Sequence, residues 1–446
     1  MSAREETICA VATPPGAGGL GIVRVSGSLV PDICIALLGR VPEPRYALLA
    51  DFRAADGEVI DSGIALYFPA PHSFTGEHVL ELQGHGGSHV LNRVQQRVLE
   101  LGARRAQPGE FSRRAFLNDK LDLVQAEAIA DLIDSGTDAA ARAAQRSLQG
   151  KFSRRVNALQ EALTSLRVFV EAAIDFPDEE IDFLAESDVN ERTAGVRDQV
   201  DELLVEARQG RLLRDGIVLA IIGRPNAGKS SLLNALSGQE SAIVTEIPGT
   251  TRDVLREQID LDGIPVHVAD TAGIRETSDR IEAEGVRRAR QALESADLVL
   301  LVEDASEAEP EAGDLAAEVP ASVQLIRARN KADLLPGDRV PPEQGTVWIS
   351  AKTGQGMDEL RSLIRESVGA SDHAEGSFSA RQRHIDALKA ARAHIDQGLA
   401  ELTLSGSGEL LAEELHQAQM ALGEITGEML PDDLLGKIFS SFCIGK

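Results

Sequence analysis

Four residues near the middle of the chain have the types and the spacing needed to hold phosphate groups. Gly223, Gly228, Lys229 and Ser230 match the pattern GxxxxGK[ST] within "GRPNAGKS". Glycines let backbone N–H groups close around phosphate oxygens, the lysine reaches the outer phosphates, and the serine hydroxyl suits a magnesium ion. This segment therefore predicts the binding of a nucleotide together with its metal ion.

The elements around this segment are of the kind that would position it. From Ile217 an apolar strand pattern leads into the glycine-rich turn, and a helical pattern follows. A second strand pattern, "IPVHVADTAG", places Asp270 at a strand end with Gly273 after it. Asp270 could hold the magnesium ion through water, and the Gly273 N–H could sense the terminal phosphate.

Two further strand patterns end in residues suited to recognise a base. The segment "VQLIRARNKAD" ends on Asn330, Lys331 and Asp333. A carboxylate at Asp333 can accept hydrogen bonds from the N1–H and the exocyclic amine of guanine, which adenine cannot offer, while the Lys331 stem can lie along the ring. The predicted ligand is therefore a guanine nucleotide. After one more strand, "VWISAK" supplies a predicted last base-contacting loop of Ser350, Ala351 and Lys352.

In this order the elements resemble a Ras-like GTPase of the translation-factor class, over about residues 216–370. The resemblance implies a doubly wound sheet with helices on both faces and GTP hydrolysis as the activity. One departure is that Ile274 stands where Ras and translational GTPases carry a water-orienting Gln or His. Because its side chain can neither donate nor accept a proton, another group must orient the attacking water.

The loop "TEIPGTTRD" and the segment after Asp270 contain the remaining candidates for hydrolysis. Thr251 is the predicted second magnesium ligand. The charge that develops between the outer phosphates could be met by Arg252, by a partner's arginine or by a monovalent cation, and the pattern leaves the three open. Glu282, twelve residues beyond Asp270, reads as a solvated charge from the residues alone.

Bulk properties narrow the class of protein. A length of 446 residues predicts roughly two to four domains, and a net charge of -26 predicts that any RNA contact is local or shared with a partner. Cys9, Cys34 and Cys443 are odd in number and widely spaced, which argues against a disulfide framework or a structural zinc site. Without an apolar run of bilayer length or a signal peptide, the chain is expected to be cytoplasmic and free of membrane contact.

Strand, turn and helix patterns outside the GTPase segment predict a multidomain fold. Short strands and hairpins near the start favour a small α+β domain. Apolar residues at three-, four- and seven-residue spacings mark helices before and after the GTPase segment. This predicts a discontinuous α-helical domain interrupted by an inserted α/β Ras-like GTPase domain. The predicted boundaries are 1–118 for the amino-terminal domain, 119–213 for the first helical part, 214–371 for the GTPase and 372–446 for the second helical part.

A second and more specific resemblance covers essentially the whole chain. The strings "ATPPGAGGLGIVRVSG", "GEHVLELQGHGG", "PGEFSRRAFLNDKLDLVQAEAIADLI", "GTTRD" and the terminal "CIGK" occur in this order. Together they resemble the MnmE family of tRNA-modification GTPases, also called TrmE. The resemblance implies a homodimer, an amino-terminal domain that binds 5-formyl-tetrahydrofolate, and a carboxyl end folded back toward that pocket. It also implies work with the FAD-containing protein MnmG (GidA) to add an aminomethyl or carboxymethylaminomethyl group at carbon 5 of the wobble uridine of certain tRNAs.

The MnmE resemblance assigns roles to individual positions. Folate contacts fall on Arg24, Glu81, Lys120 and Lys446, and Cys443 would lie beside the one-carbon donor. Magnesium is placed at Ser230 and Thr251, water orientation at Glu282, and potassium at Asn226, Thr245, Ile247 and Thr250, so that potassium takes the place of an arginine finger. The full set of implied GTP contacts is Gly223, Asn226, Ala227, Gly228, Lys229, Ser230, Ser231, Thr245, Glu246, Ile247, Pro248, Gly249, Thr250, Thr251, Asp270, Thr271, Ala272, Gly273, Asn330, Lys331, Asp333, Ser350, Ala351 and Lys352.

Two other functions are compatible with the general GTPase motifs. The first is a GTP-dependent switch or ribosome-assembly factor whose outer domains carry out no chemistry; folate binding would distinguish it. The second is a dynamin-like membrane-remodelling GTPase, although the chain lacks a basic amphipathic face or a lipid-anchoring segment.

Overall fold

A computed structural model describes the chain over a series of ranges. They are 6–175, 188–224, 226–237, 257–269, 293–306, 316–317, 319–321, 323–335, 344–370, 377–428, 432–442 and 444–445. The chain divides into two compact units. The first contains residues 1–130, 156–160 and 419–446, and the second contains 131–155 and 161–418.

The first unit is built on a six-stranded sheet. Its strands are β1 (Ile8–Val11), β2 (Gly18–Ser26), β3 (Leu48–Arg53), β4 (Val59–Phe68), β5 (Val79–Gly86) and β6 (Arg104–Arg105). The order across the sheet is β3-β4-β5-β2-β1-β6, and all pairs are antiparallel except β1 with β6. Residue alternation along β4 buries Ala65 and Tyr67 and leaves Ile64 beside them exposed, as expected of strands with one covered face.

Three helices pack against this sheet. They are α1 (Val30–Leu38), α2 (Ser88–Glu100) and α3 (Glu110–Leu117). Apolar side chains of α1 and α2, among them Ile33 and Val94, pack with Phe52 and Leu80 of the strands in one core. In a separate cluster Phe111 of α3 packs with the β1 residues Ile8 and Ala10. Arg24 and Glu81 are direct partners in the β2–β5 register.

Long helices precede and follow the second sheet in the sequence. Those before it are α4 (Leu123–Ile133), α5 (Asp138–Leu148), α6 (Lys151–Asp175) and α7 (Asp188–Asp215). Those after it include α10 (Gln382–Ser405), α11 (Gly408–Thr426) and α12 (Asp432–Ser440). Within the second unit α7 packs against α10. None of the described helices combines the length and the apolar character needed to span a bilayer.

The second sheet has a mostly parallel order. Its strands are β7 (Ile217–Gly223), β8 (Glu257–Leu261), β9 (Ile264–Ala269), β10 (Leu298–Asp304), β11 (Gln324–Asn330) and β12 (Thr346–Trp348). The order is β12-β11-β10-β7-β9-β8, and of these pairs β8 with β9 is antiparallel. Helices α8 (Lys229–Ser237) and α9 (Met357–Ser367) pack on one face, while Leu293 and Ala296 contribute to an apolar cluster on the other.

This sheet explains the continuous apolar run of β10. Both of its faces are buried, so alternate residues such as Leu300 and Leu301 point into different clusters and both are apolar. In such a sheet ligands bind beyond the carboxyl ends of the strands. The predicted fold class is confirmed: an amino-terminal α+β domain and helices on both sides, in sequence, of an inserted Ras-like α/β domain.

The chain's last described residues belong to the first unit. Phe439 of α12 and Phe442 pack with Leu123 and Ala126 of α4 in a small apolar cluster. At Gly109, which has a φ of 64°, a Cβ would collide with the Phe439 carbonyl oxygen, so α3 and α12 approach closely at this glycine. These contacts bring the tail back onto the amino-terminal domain.

Candidate functional site

The phosphate-loop segment turns from β7 into α8 with a backbone that requires positive φ at several positions. Gly223 has a φ of 152°, Asn226 of 65° and Gly228 of 95°. Lys229 Nζ donates to the Gly223 carbonyl at 2.6 Å and to the Arg224 carbonyl at 2.9 Å. Its ammonium group therefore binds two backbone carbonyl groups of the phosphate loop itself. Burial lowers the pKa of Lys229. A phosphate could therefore gain a partly desolvated cation by replacing two carbonyl oxygens.

A cavity of about 620 Å³ lies beside this loop at the carboxyl end of β11. Eight of the residues predicted to contact GTP line it: Gly228, Ser231, Asn330, Lys331, Asp333, Ser350, Ala351 and Lys352. They come from three separate segments of the sequence, and the parallel order of the sheet brings them to one edge. The predicted nucleotide contacts on these residues share one concave surface.

The Asn330 side chain joins two of those segments. Its Nδ2 donates to the Ala227 carbonyl at 2.9 Å, and its Oδ1 accepts from the Ala351 N–H at 3.0 Å. The residue is 3% exposed, so both bonds are shielded from water. At Gly228 a Cβ would collide with Asn330 Nδ2, which makes glycine the residue that fits there. Asn330 thus joins its own segment, residues 330–333 (the base loop), to the phosphate loop and to the loop of Ser350, Ala351 and Lys352.

The next residues turn the chain so that two side chains line the cavity. Lys331 has a left-handed backbone, with φ 65° and ψ 29°, and precedes a short 3-10 turn over Ala332–Leu334 that carries Asp333. Lys331 Nζ lies 2.5 Å from Asp304 Oδ2, at the end of β10. Asp333 lines the cavity, and its carboxylate is of the kind that a guanine base edge requires.

The sequence interpretation missed several residues around the cavity. Asn234 and Ala235 line it from α8, and Leu334 lines it from the 3-10 turn. The signal for the first two was available, because they follow Ser231 by three and four residues on a helix and so share its face. Asp304 has no local signal, since its contact with Lys331 depends on β10 and β11 being neighbours.

The described part of the predicted metal sites offers oxygen ligands of a suitable kind. Ser230 is the second residue of α8, and it is exposed at the helix amino end, where phosphate and magnesium are expected. Asn226 is exposed on the phosphate loop, and its side-chain oxygen is a ligand of the kind that hard cations such as potassium accept. The remaining predicted nucleotide, metal and water-orienting residues lie outside the described residues: Thr245, Glu246, Ile247, Pro248, Gly249, Thr250, Thr251, Asp270, Thr271, Ala272, Gly273 and Glu282.

The residues predicted to bind folate fall on the first unit. Arg24 Nε donates to Glu81 Oε1 at 3.0 Å, and the second contact, from Nη2 to the same oxygen, is 2.9 Å. The Arg24 guanidinium also lies over the ring of Phe111, 5.8 Å from its centroid. Lys120 Nζ donates to the Pro71 carbonyl at 3.1 Å. The structure thus pairs Arg24 with Glu81 and engages Lys120 separately.

The tail reaches this arginine. Arg24 Nη1 donates to the Gly445 carbonyl at 3.1 Å. Gly445 has a φ of 94°, and a Cβ there would collide with the backbone of Val11 and Ala12. Cys443 and Lys446 lie outside the described residues. Residues 444–445, next to both, are therefore placed at the edge of the β1–β2 hairpin.

Comparison with known proteins finds similarity along nearly the whole length of the chain. The family model described as the MnmE helical domain matches residues 123–443, and that of the GTP-binding protein TrmE N-terminus matches residues 7–120. The tRNA modification GTPase MnmE of Stutzerimonas stutzeri (strain A1501) is 58% identical over 459 residues, 100% of each chain. That of Methylococcus capsulatus is 57% identical over 445 residues, 99% of each chain.

A solved structure resembles part of the chain. A variant of Era from Aquifex aeolicus, bound to GDP.AlF4-, is 27% identical and aligns with 40% of this chain and 66% of its own, with a TM-score of 0.28. That score is too low to support an argument about shared geometry. The family models and the full-length relatives are sufficient by themselves: this chain belongs to the family of the tRNA modification GTPase MnmE.

Proposed function

We propose that this chain binds GTP in the cavity beside the phosphate loop and couples its hydrolysis to modification of the wobble uridine of tRNA. The observation that carries the proposal is the cavity itself. Gly228 and Ser231 line one side, and Lys331 and Asp333 line the other, with Asn330 tying the two sides together. A pocket that presents backbone amides to phosphates and a carboxylate to a base edge suits a guanine nucleotide.

Each side chain of the site has a proposed task. Asp333 accepts the N1–H and the exocyclic amine of guanine, and Lys229 exchanges two carbonyl oxygens for phosphate oxygens as the nucleotide enters. Ser230 and Thr251 would hold magnesium, and Asn226, Thr245, Ile247 and Thr250 would hold potassium. Both cations would supply positive charge to the phosphates, and potassium would take the place of an arginine finger. Glu282 is proposed to orient the attacking water.

The second part of the proposal concerns the amino-terminal domain. Arg24, Glu81, Lys120 and Lys446 would bind a tetrahydrofolate such as the 5-formyl form, the source of the one-carbon unit. Glu81 Oε1 is taken by Arg24, whereas Oε2 makes a longer contact of 3.4 Å with Gln83 and can accept from an aminopyrimidine. The modification itself, an aminomethyl or carboxymethylaminomethyl group at carbon 5, is proposed to require the FAD-containing MnmG in the cytoplasm, with Cys443 near the donor.

The proposed homodimer is supported by an exposed aliphatic pair on the sheet of the first unit. Leu49 on β3 is 79% exposed, and its register partner Ile64 on β4 is 40% exposed. Adjacent exposed aliphatic side chains on a sheet surface mark a place where another protein surface can pack. A second copy of this chain would cover them.

The experiment that tests the GTPase mechanism is the turnover of GTP in potassium against sodium at equal ionic strength. We expect strong dependence on potassium in the unaltered chain and its loss in Asn226→Ala. Since Asn226 has a φ of 65°, Asn226→Gly is the matched control: it relieves backbone strain but also lacks the side-chain oxygen, so it should lose the dependence too. Equal rates in the two salts would overturn the cation mechanism and favour an arginine from a partner.

A further inference from the structure

The ends of β10 and β11 lie side by side beneath the cavity. Asp304 and Asn330 are direct partners in the parallel register, so Asp304 stands next to the segment that begins with Asn330 and Lys331. Both oxygens of the Asp304 carboxylate are occupied. Oδ2 accepts from Lys331 Nζ at 2.5 Å, and Oδ1 accepts from the Ser306 N–H at 3.0 Å and the Ser306 hydroxyl at 2.6 Å.

Lys331 has an uncommon backbone for a lysine. Its φ of 65° and ψ of 29° lie in the left-handed region, which is unfavourable for a residue with a Cβ. The turn nevertheless places a long side chain on the cavity wall, next to Asp333. Because Asp304 engages the ammonium at the far end, the part of the side chain that Lys331 can offer to a ligand is its methylene stem.

We propose that Asp304 is a positioning residue for the base: by holding Lys331 Nζ, it fixes the Lys331 stem across the cavity wall, where the stem packs on the face of the guanine ring. This inference rests on the proposed GTP site and adds to it a residue that does not touch the nucleotide. Asp304 is not among the residues that line the cavity, so it acts through Lys331.

The charges and burial at this pair suit such a role. The Asp304 side chain is 14% exposed and that of Lys331 is 33% exposed, so the contact is partly shielded from solvent. Burial acts to raise the pKa of Asp304, but the hydrogen bonds from Lys331 and Ser306 outweigh it, and the pKa lies below its usual range. The Asp304 carboxylate is thus ionised at neutral pH, and it holds Lys331 Nζ before the nucleotide arrives.

The expected benefit is preorganisation. A lysine stem that is free in the empty cavity must lose rotamer freedom when it packs on the ring, and that loss weakens binding. If Asp304 has already fixed the stem, that cost is removed from binding. Loss of the contact is therefore expected to weaken nucleotide binding by about 3- to 10-fold.

The test is a double-mutant cycle in the full chain, with GDP affinity measured by titration calorimetry. Asp304→Asn keeps the acceptor for Ser306 but loses the anion, and Lys331→Met keeps an unbranched stem but loses the ammonium. Both variants remove the same contact between Asp304 and Lys331. The affinity for GDP is therefore expected to fall by about 3- to 10-fold in each single variant, and by no more than that in the double variant. Unaltered affinity in Asp304→Asn, or losses that multiply in the double variant, would overturn the inference.

A second readout separates positioning from general damage to the base loop. Inosine diphosphate lacks the exocyclic amine but has the same ring face, so Asp304→Asn should weaken GDP and inosine diphosphate equally and leave their affinity ratio unchanged. A change in that ratio would mean that the Asp333 edge contact has moved, which would also overturn the inference. Glu303→Gln is the matched control, because Glu303 is the neighbouring buried carboxylate, pairs with Arg327 at 3.2 Å and does not line the cavity.

The unaltered chain distinguishes this inference from the proposed function. If it binds no guanine nucleotide, the proposed function fails. If it binds GDP and Asp304→Asn binds equally well, only the positioning role fails.

Discussion

Asn330 Nδ2 lies 2.9 Å from the carbonyl oxygen of Ala227, which makes a base-loop residue a structural part of the phosphate loop. The other end of the same amide accepts from the Ala351 N–H at 3.0 Å. The side chain therefore directs its hydrogen-bonding groups at protein backbone, and its value to nucleotide binding is that it fixes the distance between the two ends of the cavity. The three loops should accordingly respond together when this amide is changed.

Asn330→Asp should weaken GDP binding by about tenfold or more. The substitution keeps size but removes the donor, so the Ala227 carbonyl is left buried against a carboxylate oxygen, at a cost of about 1–3 kcal/mol. Titration calorimetry measures the affinity of the variant for GDP. Gln324→Glu, at the exposed start of β11, is the control. Affinity equal to that of the unaltered chain would show that the bridge does not matter for binding.

Glu110 should make the first unit more stable at neutral than at acid pH. Burial acts to raise the pKa of Glu110, but hydrogen bonds from Arg104, Gln107 and Arg114 outweigh it and lower the pKa from 4.5 to about 2. Since the folded-state pKa is depressed, its contribution is fully present above about pH 5 and is lost as the pH falls through about 2. A shift of this size corresponds to about 3 kcal/mol.

Urea unfolding at several pH values tests this contribution. Both tyrosines, Tyr46 and Tyr67, lie in the first unit, and the single tryptophan, Trp348, lies in the second, so tyrosine absorbance reports the relevant transition. The free-energy gap between the unaltered chain and Glu110→Gln should be about 3 kcal/mol at about pH 7 and shrink toward pH 2. A gap independent of pH would contradict the assignment, and the exposed Glu58→Gln serves as the control.

Asp131 should be important for the stability of the second unit. Its carboxylate accepts from Arg214 Nε and Arg381 Nη2, both at 2.7 Å, and from the Ser379 hydroxyl at 3.1 Å. Arg214 lies shortly before Ile217, where β7 begins, and Arg381 lies just before α10, so Asp131 ties the chain entering the GTPase domain to the chain leaving it.

Removing this one anion takes away an ion-pair contact from both guanidinium groups at a carboxylate that is only 5% exposed. Asp131→Asn is expected to destabilise the second unit by about 3 kcal/mol, seen as a lower midpoint of thermal unfolding by Trp348 fluorescence. Asp386→Asn, on the exposed side of α10, should leave the midpoint unchanged. The prediction fails if the two variants unfold at the same temperature.

Arg24→Met should make the thiol of Cys443 more reactive. Cys9 and Cys34 are 0% exposed, and burial raises their pKa values to about 11 and about 12, so neither should react with a thiol reagent in the folded chain at neutral pH. Losing the bond from Arg24 to the Gly445 carbonyl, worth about 1.5–3 kcal/mol for a charged donor, should loosen the tail and speed labelling about tenfold. Labelling that is no faster than in the exposed Arg40→Met control would contradict a role of Arg24 in holding the tail.

The features that the sequence predicts best are those formed by residues that are close together in the chain. The phosphate loop is a short-range pattern, since a strand, a glycine-rich turn and a helix are contiguous, and its glycines are required by local backbone geometry. The helices on both sides of the GTPase domain follow from apolar spacing alone. These features need no knowledge of which segments become neighbours.

Contacts that depend on register could not be predicted in the same way. Arg24 meets Glu81 only because β2 and β5 pair with these residues opposite each other, 57 positions apart. Asp304 meets Lys331 because β10 and β11 are adjacent and end together. An isolated Asp, Arg or Glu in the sequence has no feature that distinguishes such a partner from solvent.

The measurement that tests the account most directly is the yield of modified wobble uridine, by mass spectrometry of tRNA, in a reaction of this chain with the proposed partner MnmG, a folate donor, ammonium or glycine as the amine donor, and a nucleotide. We predict product with GTP and none with GDP or a non-hydrolysable analogue. In Asp333→Asn, product with GTP should fall and should be restored by xanthosine triphosphate, whose exocyclic oxygen suits an amide donor. Equal yields with GTP and GDP, or an Asp333→Asn variant indifferent to the base, would contradict the claim that GTP hydrolysis in this cavity drives the modification.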